Sequence, residues 1–368
     1  MTNAEELAAE EKIHFYTLNV GQGDSHVIHF PTRKAAIVID PGDSDLINEL
    51  LHNHLEIKHL PLILISHFDL DHMRGLNGIL LECLKKTRGE AIKPGYIFFS
   101  DQGFGKSIKC KTLSGILDDF EQLAGQYNLL HEYSIADNCS SDVFKEILSK
   151  LGIEGRIIYP KRMQQKEAFT KENYNLASVL LYIIFANQKI LYTGDLPYAG
   201  WEKVDNGEDL KSDVFKVPHH GGKITQLPGK EIQKEYTRKI LESVDPNFAL
   251  ISVGSSNKHG HPLREVIETI VTHQTKPHLL CTQMTGQCCP DNNIKEKIHR
   301  FYEEQLGNRE EKRIFKLGSQ QGTLCAGTIR VTFDKNRPVP YTLPPVSTHY
   351  NMLKTLLKPQ QILCRGRF

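Results

Sequence analysis

The chain reads as an α/β protein. Short apolar runs of strand length alternate with stretches of helical period, and several of the runs stop abruptly at histidines, aspartates and glycines. Composition agrees: 368 residues, 39% hydrophobic and 24% charged, suffice for one large layered domain with extensions, and no repeat or low-complexity stretch intervenes.

Residues 1–12 are acidic and helical in character, without the basic and apolar regions of a secretory leader. Gly21-Gln22-Gly23-Asp24-Ser25 is either a plain tight turn between the first two strands or a loop at the rim of a site in which Asp24 orients a histidine. The apolar run 62–65 is a buried strand leading straight into Ser66-His67-Phe68-Asp69-Leu70-Asp71-His72. Successive side chains of an extended segment point to opposite sides, so a tight turn there can gather His67, Asp69, Asp71 and His72 around one spot. Imidazole plus carboxylate suits a first-row divalent ion. Residues 95–100 read as the next strand, and 112–126 and 140–151 as amphipathic helices. The stretch 92–159 either covers the cleft as an insertion or completes the first sheet's helical layer.

A second apolar pair, 178–185 and 189–193, is joined by Ala186-Asn187-Gln188 as a hairpin that ends in Gly194-Asp195. Residues 213–218 form a short strand that stops at His219-His220-Gly221-Gly222, where the glycines let the backbone approach a ligand. The run 248–254 leads into a polar loop containing Asn257, His259 and His261, followed by a helix. All these sites end apolar strands, which is where binding sites are built.

In this order the motifs G-Q-G-D-S (21–25), I-D-P-G (39–42), S-H-x-D-x-D-H (66–72), N-x-x-S (175–178), T-G-D (193–195), K-V-P-H-H-G (216–221) and S-V-G…N…G-H-P (252–262) resemble the metallo-β-lactamase fold superfamily. Within it the likeness is greatest to the soluble C-terminal domain of ComEC, the DNA-uptake channel protein. The resemblance covers roughly residues 12–285 and is weakest over 85–160. It implies an αββα sandwich of two mixed sheets with outer helices, and a dinuclear site at the sheet ends. Carried over by position, His67 and Asp69 fall on one metal, Asp71 and His72 on the second, Asp195 bridges, and His219 completes the second ion. Two departures from the commonest superfamily pattern stand out: Asp69 replaces a histidine, and a stretch with Asn175 and Ser178 replaces another. Both also look like the ComEC-type branch.

Fewer imidazoles make the first site harder, and oxygen donors favour manganese or magnesium over zinc. The expected cofactors are two divalent ions, Mn2+ or Zn2+, holding a bridging hydroxide that attacks a phosphodiester of nucleic acid or a nucleotide. Asp71, His220, His261 and Asn257 are the expected catalytic residues, the last three facing phosphoryl oxygens or protonating the leaving oxygen; Lys223 is either a phosphate contact or a solvated lysine. The same nucleophile would serve hydrolysis of an ester, lactone or amide, and a non-catalytic binding or sensing module on the same fold is a third reading.

A net charge of +1 argues against tight binding of long DNA. The tail with Lys354, Lys358, Arg365 and Arg367 is locally basic and offers a contact for nucleic acid or a protein partner. No apolar run approaches the roughly 20 residues needed to cross a bilayer, so a cytoplasmic protein without membrane contact is expected. The cysteines should then be reduced. Cys281, Cys288, Cys289 and Cys325 admit two readings, a structural zinc site or buried thiols, and Cys83, Cys110, Cys139 and Cys364 read as fillers. A helix over 293–306, a strand-like 322–328 and a proline-broken 338–345 follow. The expected organisation is a hydrolase domain, 1–285, with 286–368 an extension packed on it.

Overall fold

A computed structural model describes residues 10–84, 92–99, 115, 131–134, 142–171, 173–204, 207–288, 294–358 and 362–364. In chain order the strands are β1 (Lys12–Thr17), β2 (His26–Phe30), β3 (Ala35–Ile39), β4 (His59–Leu64), β5 (Lys93–Phe99), β6 (His131–Ser134), β7 (Glu154–Tyr159), β8 (Leu180–Phe185), β9 (Gln188–Tyr192), β10 (Val214–Lys216), β11 (Phe248–Ile251), β12 (His278–Cys281), β13 (Ile329–Asp334) and β14 (Tyr341–Leu343). They make an eight-stranded sheet in the order β14-β13-β1-β2-β3-β4-β5-β6 and a six-stranded sheet in the order β12-β11-β10-β9-β8-β7.

Side-chain alternation divides the apolar residues between two cores. Ile37 and Ile39 of β3, Ile190 and Tyr192 of β9, Phe248 and Leu250 of β11, and Ile329, Val331 and Phe333 of β13 meet in the layer between the sheets. Their neighbours Ala36, Val38, Leu191, Ala249 and Ile251 turn outward against helices, meeting Leu46, Ile47 and Leu50 or Ile240, Leu241 and Ile270. Two faces buried on each sheet require four layers, the αββα sandwich with mixed sheets that the motif order implies.

Both sheets change pairing in the same way. Pairing is antiparallel as far as β3 and then parallel through β4, β5 and β6; in the second sheet it is antiparallel as far as β9 and then parallel through β10, β11 and β12. The carboxyl ends of β3 and β4 thus lie in one sheet, and those of β9, β10 and β11 in the other, at switch points where loops part and leave a crevice.

Several details differ from the sequence reading. The hairpin turn is the two residues Ala186 and Asn187, both left-handed (φ 50° and 66°), and Gln188 pairs with Phe185. Two left-handed central residues match the twist of the flanking strands, so the tighter turn is preferred. Residues 322–328 return beside Cys281, with a single antiparallel bridge from Leu324 to Gln283, but form no full strand: Gly327 bends the chain at φ 66° into β13, which pairs along its length with β1. Residues after 286 therefore supply two strands to the first sheet. β5 and β6 extend that sheet at its other end, and Asp142–Lys150 packs Phe144, Ile147 and Leu148 into the inter-sheet core. The helix expected over 112–126 and the acidic start lie almost wholly outside the described residues. Among the described residues no helix is long and apolar enough to cross a membrane.

Because β13 lies between β14 and β1 with Phe333 fully buried in the inter-sheet core, Phe333→Ala is expected to cost about 3–5 kcal/mol. Urea unfolding of the full chain measures this, and a loss below about 1 kcal/mol would mean that β13 is only loosely attached.

Candidate metal centre

His67 and His72 follow β4, Asp40 follows β3, Asp195 follows β9, and His219 and His220 follow β10, so the crevice collects imidazoles and acids from both sheets. Short-range constraints place them. After Pro218 the chain adopts left-handed backbone at His219 and His220 (φ 54° each) and at Gly221 (φ 73°), a strained run that brings both imidazoles to Asp195, His220 buried and His219 partly exposed. Gly222 is required by contact: a Cβ there would meet the His261 Nε2 at 2.4 Å.

The N-terminal motifs act by close approach. A Cβ on Gly23 would lie 2.5 Å from the Asp71 carbonyl oxygen, and one on Gly42 would lie 2.5 Å from the same oxygen and 2.4 Å from that of Asp24. The Asp24 N–H donates to the Asp71 carbonyl (3.2 Å), and the Gly42 N–H to the Asp24 carbonyl (3.0 Å). Three segments distant in sequence thereby lock the loop that carries Asp71 and His72.

Three imidazoles converge with their Nδ1 atoms held from behind. His67 Nδ1 pairs with Ser66 Oγ (2.9 Å), His72 Nδ1 with Asp40 Oδ2 (2.6 Å) and His220 Nδ1 with the Ser252 carbonyl (3.0 Å). Their Nε2 atoms, together with Asp195 Oδ1, are buried and make no hydrogen bond. His72 Nε2 is 3.4 Å from Asp195 Oδ1, and His220 Nε2 is 3.5 Å from Asp195 Oδ2 and 3.6 Å from Asp71 Oδ2. His67 Nε2 is 3.9 Å from Asp69 Oδ2. Buried polar atoms are ordinarily paired, and four unpartnered donor atoms aimed at one space fit divalent metal. Among the described residues, Asp71, His72 and His220 form one group with ligand atoms within 4.8 Å of one another, and Asp40, His67 and His72 another.

Behind this layer lies a buried ionic one. Asp40 accepts from Ser66 N, Ser66 Oγ, His72 Nδ1 and the Tyr192 hydroxyl. Lys216, fully buried, donates to the Gly194 carbonyl (2.8 Å), contacts Asp24 and stands 3.6 Å from Asp195 Oδ1. Burial opposes the charge on Lys216, but Asp24 and Asp195 raise its ammonium above the ordinary lysine range. Burial likewise opposes charge on His72 and His220. Asp195 and Asp40 hold His72 well above the histidine range, and Asp195 and Asp24 lift His220 to about 9. Among the described residues five carboxylates, Asp24, Asp40, Asp69, Asp71 and Asp195, face a single ammonium, an excess of four negative charges that suits divalent cations.

The expected site residues are distributed as follows. His67, Asp69, Asp71, His72 and Asp195 come together. The imidazole that joins Asp71 and His72 is His220, expected as a phosphoryl contact, whereas His219 stands at the edge, with Nε2 3.8 Å from Asp195 Oδ2 and Nδ1 against the Lys223 carbonyl (2.8 Å). His261 packs edge-on to His219 with ring centroids 5.0 Å apart, and burial, then His219 and His220, push its imidazole down to about 3, so it is neutral. Asn257 does not face the crevice with a free amide. Its Nδ2 donates to the Gly254 and His261 carbonyls (2.7 and 2.8 Å) and its Oδ1 accepts from His261 N (2.7 Å), so it shapes the loop that positions His261. Ser178 Oγ accepts from Asp195 N (3.1 Å) and fixes the Asp195 turn.

Asp40, Ser66 and Lys216 belong to the motifs 39–42, 66–72 and 216–221 but were given no role by the sequence, and Tyr192 was read only as part of an apolar run. The available signal was a lysine inside an otherwise apolar strand, since lysine is almost never fully buried unless paired. The cysteines give a different picture from a four-thiolate site. Cys281, Cys288 and Cys325 are buried free thiols, joined by Cys364, while Cys289 lies outside the described residues. Burial pushes the Cys281 and Cys325 thiols up, and the three-ligand groups among the described residues consist of histidine and aspartate alone.

Residues 18–107 match the Metallo-beta-lactamase superfamily. The chain is 24% identical over 288 residues to ComE operon protein 3 of Bacillus subtilis, covering 73% of this chain and 32% of that protein. It is 29% identical over 114 residues to competence protein ComA of Neisseria gonorrhoeae, covering 30% of this chain and 15% of that protein. The chain thus spans about a third or less of the length of these relatives. Among solved structures it is similar to a diphosphatase from the PhnP family (TM-score 0.38, 11% identity, 66% of this chain and 87% of that one) and to human tRNase Z, short form (TM-score 0.35, 12% identity, 66% and 93%).

Two outcomes follow from the ionic layer. Asp40→Asn leaves His72 without its carboxylate and is expected to weaken metal retention or activity by roughly 10–100-fold; unchanged metal content after dialysis against a chelator would refute the orienting role. In metal-free protein at pH 7.5, His72 and His220 carry protons that ligation must displace, so loading should release up to roughly two protons. As pH rises through about 9 the His220 proton is already gone and the release shrinks. Calorimetry in buffers of different ionisation enthalpy reads this directly, and buffer-independent heats would contradict it.

Proposed function

We propose, for a chain of the metallo-β-lactamase superfamily with ComEC-like motifs, that it is a metal-dependent phosphodiesterase or nuclease acting on nucleic acid or a nucleotide. The observation that carries the reading is the set of unpartnered donors, three imidazole Nε2 atoms and Asp195 Oδ1, set among oxygen-rich neighbours at the crevice floor. His67 and Asp69 would hold one ion, Asp71, His72 and His220 the other, with Asp195 shared. When bound, two divalent ions supply Lewis-acid charge and an activated water for in-line displacement at phosphorus.

The protein's own groups do the rest. Lys216 holds Asp195 from below with a charge that does not titrate away, so the shared carboxylate keeps its orientation. Asp69 and Asp71, with side chains 27% and 33% exposed, face the mouth where an anionic substrate enters. His261, neutral and neighbouring His219, has an N–H suited to a phosphoryl oxygen as its charge grows. One imidazole and mainly oxygens at the first position favour a hard ion; manganese or zinc as resident metal and a cytoplasmic setting belong to the same proposal.

Metal analysis of the purified protein, followed by incubation with single- and double-stranded DNA and with RNA under manganese, magnesium and zinc, tests this. At least one polymer should be cut, and Asp195→Asn should lower the rate by roughly 10²–10³-fold or more. Hydrolysis of carboxylic esters with none of any phosphodiester would overturn the proposal.

A further inference from the structure

Next to the centre lies a cleft of about 250 Å³ that the chemistry above does not use. His219 lines it and also stands 3.8 Å from Asp195, so the cleft opens onto the metal-binding side chains. Its walls come from three segments that the centre itself positions: Asn175 before the Ser178 that fixes Asp195, Tyr198 and Glu202 just after Asp195, and Lys223 in the loop after His220. Tyr236 reaches in from the helix Lys230–Val244.

The lining has a definite chemistry. Tyr198 and Tyr236 stack with centroids 3.9 Å apart and planes 7° from parallel, and Lys239 holds the pair by lying 5.8 and 5.3 Å from the two ring centres. A rigid pair of parallel rings is an aromatic platform, and base–aromatic stacking accepts any base because every base has a π-face. Lys223 forms no ion pair with a described residue, leaving its ammonium for a phosphate. Glu202 works against a second phosphate and for a hydroxyl or an exocyclic amine, and Asn175 offers both a donor and an acceptor. Asn173, Gln226, Ile224 and Leu227 complete the wall, and a single lysine beside a carboxylate, among amides, stacked tyrosines and aliphatic side chains, suits a nucleoside monophosphate better than a polyphosphate.

We propose that this cleft is the subsite for the nucleoside flanking the scissile phosphate, with the Tyr198–Tyr236 pair as its base platform. The inference rests on the phosphodiesterase reading for its biological sense, but its binding test does not depend on turnover. Thymidine 5′-monophosphate and inorganic phosphate are titrated calorimetrically into metal-loaded protein, with Tyr236→Leu and Tyr236→Phe alongside. Wild type should bind the nucleotide about 10–100-fold more tightly than phosphate. Tyr236→Leu should lose roughly tenfold or more of that preference while its affinity for phosphate stays the same, and Tyr236→Phe should retain the preference.

Equal affinity of wild type for nucleotide and phosphate, or an equal loss for both ligands in Tyr236→Leu, would overturn the subsite. Turnover is read separately, on thymidine 5′-(p-nitrophenyl phosphate) against methyl p-nitrophenyl phosphate. A higher kcat/KM for the first that collapses only in Tyr236→Leu supports the subsite. Nucleotide preference in binding with neither of these esters nor any DNA or RNA hydrolysed would sink the catalytic reading and leave the subsite standing.

Discussion

Five carboxylates crowd three imidazoles at the ends of two sheets, and two of them, Asp24 and Asp40, are wholly buried. Moving a bare carboxylate out of water costs several kcal/mol unless charge and hydrogen bonds compensate. Lys216 and the hydrogen bonds to Asp40 meet part of that demand from within the chain. The remainder is met by protons on His72 and His220 or by metal. The crevice is therefore an electrostatic socket, whose acids are tolerable only with protons or cations to offset them.

That socket depends on backbone more than on side-chain volume. The turns after β3, β4, β9 and β10 all lie where antiparallel pairing gives way to parallel pairing, and the same arrangement occurs in both sheets. Gly42, after β3, and Gly23, in the turn between β1 and β2, let both turns press on the carbonyl of Asp71 at distances that no side chain would permit. The ligands come from opposite sheets, so the inter-sheet core and the donor geometry are set together.

Much of this was legible in the sequence. The apolar runs and their abrupt polar ends gave the strands near β4, β8, β9, β10 and β11, and the motif order gave the sandwich and the convergence of His67, Asp71, His72 and Asp195. What was hidden depends on three-dimensional direction. Which of His219 and His220 is buried beside Asp71 and which stays at the edge goes with two consecutive left-handed residues, a conformation that adjacent identical letters do not reveal. Asn257 looks like a substrate contact until its amide is seen tied to Gly254 and His261. The strand-like run 322–328 does return beside Cys281 but makes only a single bridge, and β13, beyond the bend at Gly327, was not read from the sequence.

Asp40 has one more implication. Its carboxylate takes hydrogen bonds from Ser66 and His72, next to β4 in the first sheet, and from Tyr192, at the end of β9 in the second. The group that aims a ligand is thus also a rivet between the two halves of the sandwich. Losing alignment at His72 and prising the halves apart become one event, so the scaffold has little room to relax locally around an altered centre. Diversification within this architecture is channelled into the segments around the crevice, where the stacked tyrosines stand, and away from its floor.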